Sequence, residues 1–266
     1  MNLQSYFGLS GPPFPKTVTD KALLLNPALE QVLARLHFAL ERDTIALLVA
    51  ESGCGKSTAL SLFARSLDAA SYHILATSLT TLKPFSFIAS LGACTGLPSR
   101  RFKGESAASL LMHMRSQPKR TVILIDEAHL LPDSSLEDLR LLTADDLDRR
   151  SPFSLVLVGQ PLLRDRIAEP QHYALWQRIG VRLRLRPLTE SEVQIFLDRH
   201  LQAAGWRKKT SLFEPAAVTE TFHHSRGIPR LIQNIALDAM LAAMAADKKT
   251  VDAEAVGQAI VDMDAA

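Results

Sequence analysis

Cysteine is scarce in this chain. Its 266 residues contain only Cys54 and Cys94, which excludes a disulfide framework and a cysteine-rich zinc site and fits a reducing compartment. An excess of either charge is missing too. With 30 basic and 28 acidic side chains the net charge is +2, so bulk charge argues for neither nucleic acid nor membrane, and any basic surface must be local. Long apolar runs are absent as well: Ile45–Ala50 is far too short to span a bilayer, and Ile235–Ala246 is broken by Asp238. The opening stretch MNLQSYFGLSGPPFP has no basic segment followed by an apolar one, against a secretory signal. A cytoplasmic protein without membrane insertion is therefore expected.

What is present is enough apolar residue, 47%, to bury a sizeable core without staples. The length allows one large domain, or one with a small appendage. Pro12, Pro13 and Pro15 hold residues 1–25 largely extended at their start. A helix is expected from Asn26, with Pro27 at its first position and apolar residues at helical spacing through Leu40. Five short apolar segments then read as buried strands: Thr44–Val49, His73–Thr77, Thr121–Ile125, Ser154–Val158 and Val181–Leu185. Helical patterns alternate with them, which predicts a parallel sheet covered on both faces. After Pro187 only helical patterns follow, the first opened by a capping box of Thr189 and Glu192. The expected division is an α/β domain at 1–187 and a small all-helical domain at 188–266.

The strongest motif is Ala50-Glu51-Ser52-Gly53-Cys54-Gly55-Lys56-Ser57, between a strand and a helix. It has the pattern of a phosphate-binding loop, with Ala50 where a first glycine often stands. Backbone N–H groups must turn inward around phosphate oxygens, and Gly53 and Gly55 tolerate the dihedrals this needs. The helix N-terminus, with Thr58 in its first turn, favours an anion. Lys56 is expected at the terminal phosphates and the Ser57 hydroxyl at Mg²⁺. Downstream, the apolar strand Thr121–Ile125 delivers Asp126 and Glu127 at its C-terminal edge, where open α/β sheets bind ligands. Asp126 is expected to hold the metal through its water shell, and Glu127 to orient or deprotonate the attacking water. The letters of Asp126-Glu127-Ala128-His129 suggest a helicase box, but that motor needs two such domains, and 79 residues after Pro187 cannot supply another.

The order of these motifs, continued by Leu155–Gln160, Gln177-Arg178-Ile179 and Gly227-Ile228-Pro229-Arg230, resembles an AAA+ ATPase. Phe7-Gly8-Leu9 with Pro13-Phe14, Leu139–Leu142 and Leu157–Pro161 resemble more narrowly the ExeA branch. That branch holds general secretion pathway ATPases and stand-alone transposon ATPases akin to TnsC, MuB and IstB. The resemblance implies ATP and Mg²⁺ as ligands, Gln160 as sensor 1, Arg178 as an arginine finger reaching a neighbouring subunit's nucleotide, and Arg230 as sensor 2. It implies that Pro13 and Phe14 lie near the adenine, core packing being the alternative for both. Arg182 is the fallback finger. A ring or helical filament of the chain follows from a finger that acts between subunits.

Local basic clusters are where duplex DNA is expected: Lys83, and Arg100, Arg101 and Lys103 around Phe102. The ordinary alternative is a solvated charged loop. With these clusters, and a chain ending just after its helical part, the expected process is DNA transposition, with a transposase and a target-selection protein as partners. The alternatives are a secretion or pilus assembly ATPase acting with envelope proteins, and an ATP-binding switch with little hydrolysis.

Overall fold

The computed structural model describes residues 2–15, 19–78, 80–98, 100–144 and 151–265. It divides into two compact units, Ala28–Leu185, and Met1–Pro27 with Arg186–Ala266.

The first unit is built on five parallel strands, β1 (Ile45–Val49), β2 (Tyr72–Thr77), β3 (Arg120–Ile125), β4 (Phe153–Gly159) and β5 (Ile179–Arg184), in the spatial order β2-β3-β4-β1-β5. Strands β1, β3 and β4 are buried almost end to end, as unbroken apolar runs require when both faces are covered. One face packs Leu47, Ile123, Ile125, Leu155 and Leu157 against Phe87, Leu110, Leu136, Leu139 and Leu175. Those partners lie on helices α4 (Pro84–Ala93), α5 (Lys103–Ser116), α6 (Asp133–Thr143) and α8 (Tyr173–Arg178), with α7 (Pro161–Ile167) beside them. The alternate residues Ala46, Leu48, Val122, Leu124, Val156 and Val158 are equally buried, so the other face is covered too. Helices α2 (Pro27–Glu41) and α3 (Lys56–Ser66) carry further buried apolar side chains such as Leu36 and Phe63. The edge strand β5 alternates buried and exposed residues, with Arg182 and Arg184 facing out, as the alternation of arginine with apolar residues suggests.

The second unit is all-helical: α1 (Leu3–Phe7), α9 (Glu190–Ala203), α10 (Pro215–Ser225), α11 (Pro229–Ala245) and α12 (Ala253–Asp264). The capping box forms at the head of α9. Glu192 N donates to Thr189 Oγ1 at 3.4 Å, and Thr189 N to Glu192 Oε2 at 2.8 Å. Glu192 also accepts both ends of the Arg186 guanidinium, at 2.6 and 2.8 Å. That bonding, opposed by burial, lowers the Glu192 pKa to about 2.

The N-terminal segment departs from the expected division, grouping with the helices after residue 185 and not with the sheet. The reason is apolar: Phe7, Leu9 and Phe14 share one core with Phe196, Trp206, Ile232 and Met240. Backbone bonds fix the register, Ser10 N and Gly11 N donating to Ala204 O at 2.8 and 3.0 Å. The Tyr6 hydroxyl donates to Asp247 Oδ1 at 2.8 Å. Proline punctuation reveals that such a segment is extended, but not which core its phenylalanines enter.

Candidate nucleotide site

Strand β1 ends at Val49, and the chain bends through Glu51–Gly55 before α3 begins. Gly53 (φ 80°) and Gly55 (φ 92°) occupy the left-handed region, where a Cβ is costly. Cys54 is buried at this bend. Burial pushes its thiol pKa up against the opposing pull of Lys56, so Cys54 is not an activated nucleophile. Lys56 is 6% exposed, and its Nζ donates to the carbonyl oxygens of Ala50 and Glu51, at 3.0 and 3.1 Å. The ammonium is thereby pinned across the loop with its remaining N–H available to an anion. Ser52 and Ser57 are exposed, and Thr58 is half-buried.

The sheet order sets the rest. Strands β3, β4 and β1 are neighbours, so Asp126, Gln160 and the phosphate loop emerge side by side at their C-terminal ends. Ala50 N donates to Gly159 O at 3.1 Å, which seats Gln160, at the N-cap of α7, beside the loop. Ser57 Oγ donates to Asp126 Oδ2 at 2.7 Å across 69 residues of sequence. This hydroxyl and carboxylate form a paired hard-oxygen site at a helix N-terminus. It fits Mg²⁺, which takes one or two protein oxygens and completes its shell with water and phosphate. Among the described residues no three His, Cys, Asp or Glu side chains gather to hold a metal alone.

Glu127 follows in the left-handed region, φ 52°, a conformation that costs a non-glycine residue about 1–3 kcal/mol and persists only where its surroundings impose it. Its amide donates to Asp126 Oδ1 at 2.8 Å, and its carboxylate lies 3.4 Å from His129 Nδ1. The Glu127 side chain is 39% exposed, so it faces solvent, as a group that handles a water must.

Arg178 lies at the opposite end of the sheet. It closes α8, and its carbonyl accepts from Thr44 Oγ1 at 3.2 Å, just before β1. The whole of β1 separates Thr44 from Ala50, ~20 Å at ~3.3 Å per residue, beyond the reach of an arginine side chain. Arg182 is engaged close by, over the Trp176 ring at 3.9 Å and donating to Trp176 O at 2.7 Å.

In the helical unit Arg230 is exposed in the first turn of α11. Pro13 is buried there, and Phe14 stacks on His200 at 5.3 Å with Phe196 on the other ring contact at 4.4 Å. Both residues therefore have a packing role within that core. Of the basic cluster, Lys83, Arg100 and Arg101 are exposed, whereas Lys103 is tied to Asp138 at 2.6 Å.

Sequence reasoning missed three residues beside this site: Arg166, Asp133 and His172. Arg166 Nη1 donates to His129 O at 2.9 Å, and Nη2 to Leu131 O. Its Nε donates to Asp133 Oδ1 at 2.8 Å, and His172 Nε2 bonds the same oxygen at 3.0 Å. No motif marks them, because the contacts join positions 33–39 residues apart.

The sheet order, the flanking helices and the helical unit that follows define the AAA+ P-loop fold. Residues 39–167 match the AAA domain family. The chain is 34% identical over 249 residues to general secretion pathway protein A of Aeromonas hydrophila, covering 90% of this chain and 44% of that protein. It thus spans less than half the length of this relative. Together these matches make the chain similar to AAA+ proteins and to the ExeA-like branch among them. Among solved structures, the fold is similar to the ORC1 protein of Aeropyrum pernix in complex with DNA, at TM-score 0.69 and 19% identity over 92% of this chain and 68% of that one. It is similar also to Drosophila ORC bound to DNA, at TM-score 0.70 and 19% identity over 99% and 66%. No described helix is long and apolar enough to cross a membrane.

Proposed function

We propose that the chain binds ATP with Mg²⁺ at residues 50–58 and hydrolyses it, using the cycle to control an assembly with envelope proteins. The observation that carries the first part is the 2.7 Å bond from Ser57 to Asp126. It joins the two oxygen groups a nucleotide-bound magnesium needs, next to a lysine held across the loop. Gly53, Cys54 and Gly55 supply backbone N–H groups for phosphate oxygens, with Ser52 and Thr58 flanking. Glu127 orients the attacking water and accepts its proton. Gln160, between the loop and Asp126, is placed to touch the terminal phosphate.

Arg178 then serves a neighbouring subunit's nucleotide. Its distance from its own loop supports this, and an arginine finger of that kind contributes ~10³–10⁵ in rate in other nucleotide hydrolases. Arg230 is retained as sensor 2, reporting the nucleotide state to the helical unit. Packing accounts for Pro13 and Phe14 without a base contact.

Of the processes expected from sequence, secretion-type assembly comes before transposition, because the sequence relative is a general secretion pathway protein. Transposition keeps only the exposed Lys83, Arg100 and Arg101 and a fold likeness to ORC proteins bound to DNA. One assay series tests both parts: magnesium-dependent phosphate release by wild type and by Glu127→Gln, with and without duplex DNA. The expected result is steady release that falls at least ~100-fold in the variant and is indifferent to DNA. Release that is negligible in both proteins makes the chain a switch and not an enzyme. Strong stimulation by DNA, with binding that weakens steeply as salt rises, restores the transposition reading.

A further inference from the structure

Two parts of the proposed ATPase lie at opposite ends of the sheet: the turn that carries Glu127, and helix α8, which ends at Arg178. One hydrogen-bonded chain joins them. The guanidinium of Arg166, on α7, donates to the carbonyls of His129 and Leu131. These carbonyls belong to the middle residue and the C-cap of the 3₁₀ turn Ala128–Leu130, whose N-cap is Glu127. The third edge of the same guanidinium meets Asp133 Oδ1 at 2.8 Å. His172, 3% exposed, bonds that oxygen at 3.0 Å, and His172 is the N-cap of α8. These bonds to His172 and Arg166 hold the Asp133 carboxyl below its usual range. From His172 to Arg178 is one helix of six residues, ~9 Å at ~1.5 Å per residue. Its other end is gripped by Arg182 through Trp176.

The guanidinium presents its N–H groups from three nitrogens in a fixed planar fork, so it reaches two carbonyls and a carboxylate at separate points, whereas a lysine ammonium must place all three donors on one nitrogen. Glu127 sits in a backbone conformation that must be imposed from outside, and Arg166 holds the turn that follows it at its middle residue and at its C-cap. We propose that Arg166 is a positioning residue for Glu127, and that Asp133 extends its hold to His172, so that the water-handling carboxylate and the arginine finger's helix are set by one network. The inference rests on the ATPase reading above. A movement of the Glu127 turn on nucleotide turnover is thereby passed within the subunit to the residue offered to its neighbour.

The test uses the whole chain with three variants, Arg166→Lys, Asp133→Asn and His172→Gln, read by ATP hydrolysis, by titration with a fluorescent ATP analogue, and by amide hydrogen exchange. Expected are a kcat reduced about 10-fold or more in Arg166→Lys, KM and analogue affinity within about threefold of wild type, and faster exchange confined to residues 127–131 and 173–178. Asp133→Asn combined with His172→Gln should lose no more than the worse single variant, since both cut one link. Wild-type kcat in Arg166→Lys and Asp133→Asn, with unaltered exchange in both segments, overturns the proposal. So does a loss of analogue affinity matching the loss of kcat, which marks a general weakening of the fold. If wild type itself releases no phosphate, the ATPase reading fails, and the exchange pattern still decides whether the network exists.

Discussion

An ammonium that already donates to two loop carbonyls is a preorganised group. Lys56 is held over the loop with one N–H not used by those carbonyls, and its near-complete burial strengthens any charge-assisted bond it makes. Lys56→Ala should lower affinity for a fluorescent ATP analogue roughly 10- to 100-fold, as removal of a charge-assisted hydrogen bond does; unchanged affinity would remove the phosphate-loop assignment. His200 is the second residue with a sharp consequence. It is 1% exposed, both ring nitrogens lack a hydrogen-bond partner among the described residues, and burial lowers its pKa from 6.5 to about 4. The unfolded chain therefore binds a proton that the folded chain refuses between those values. Stability is complete above about pH 6.5 and declines as pH falls towards 4, by up to about 3 kcal/mol from this group. His200→Phe, between Phe14 and Phe196, should flatten that part of the pH profile in urea titrations. An unaltered profile would assign the dependence to other groups.

At the scale of elements, short connections do much of the positioning. Gly227 precedes α11 with φ +72°, and a Cβ there would lie 1.9 Å from the Leu188 carbonyl oxygen. Leu188 N in turn donates to Gly227 O at 2.8 Å. Gly227→Ala should therefore destabilise the helical unit by about 3 kcal/mol or more, from backbone strain and overlap together. Urea denaturation measures this directly, and a loss under about 1 kcal/mol would mean that the Leu188 segment yields. The elements were also the most legible part of the sequence. Unbroken apolar runs at β1, β3 and β4 gave buried parallel strands, and glycines between a strand and a helix gave the loop. The capping pair Thr189 and Glu192 gave the start of α9. The contacts of Arg166 were not legible, since nothing in local spacing says which carbonyls a guanidinium will meet 35–37 residues away.

For the whole molecule, the proposed function makes Arg178 the finger of a neighbouring copy, so that a complete catalytic site belongs to more than one chain. Arg178→Ala and Glu127→Gln should each be inactive alone while retaining analogue binding. Mixed together, they should recover a measurable fraction of wild-type phosphate release, because one partner supplies the carboxylate and the other the arginine. Absence of any recovery, with mixed oligomers demonstrated, would place the finger elsewhere, Arg182 first.

By itself the sequence determined the chemistry on offer and its order along the chain. A loop that can turn around phosphate, a carboxylate pair at a strand end and a late set of helices are all written in local pattern, since dihedral preference and apolar periodicity act over a few residues. Only the tertiary structure decided which strands are neighbours, and hence that Ser57 meets Asp126 while Arg178 stands at the opposite end of the sheet. It also decided that Phe7, Leu9 and Phe14 belong to the helical core. Those outcomes depend on burial and pairing between distant segments, which no window of residues contains.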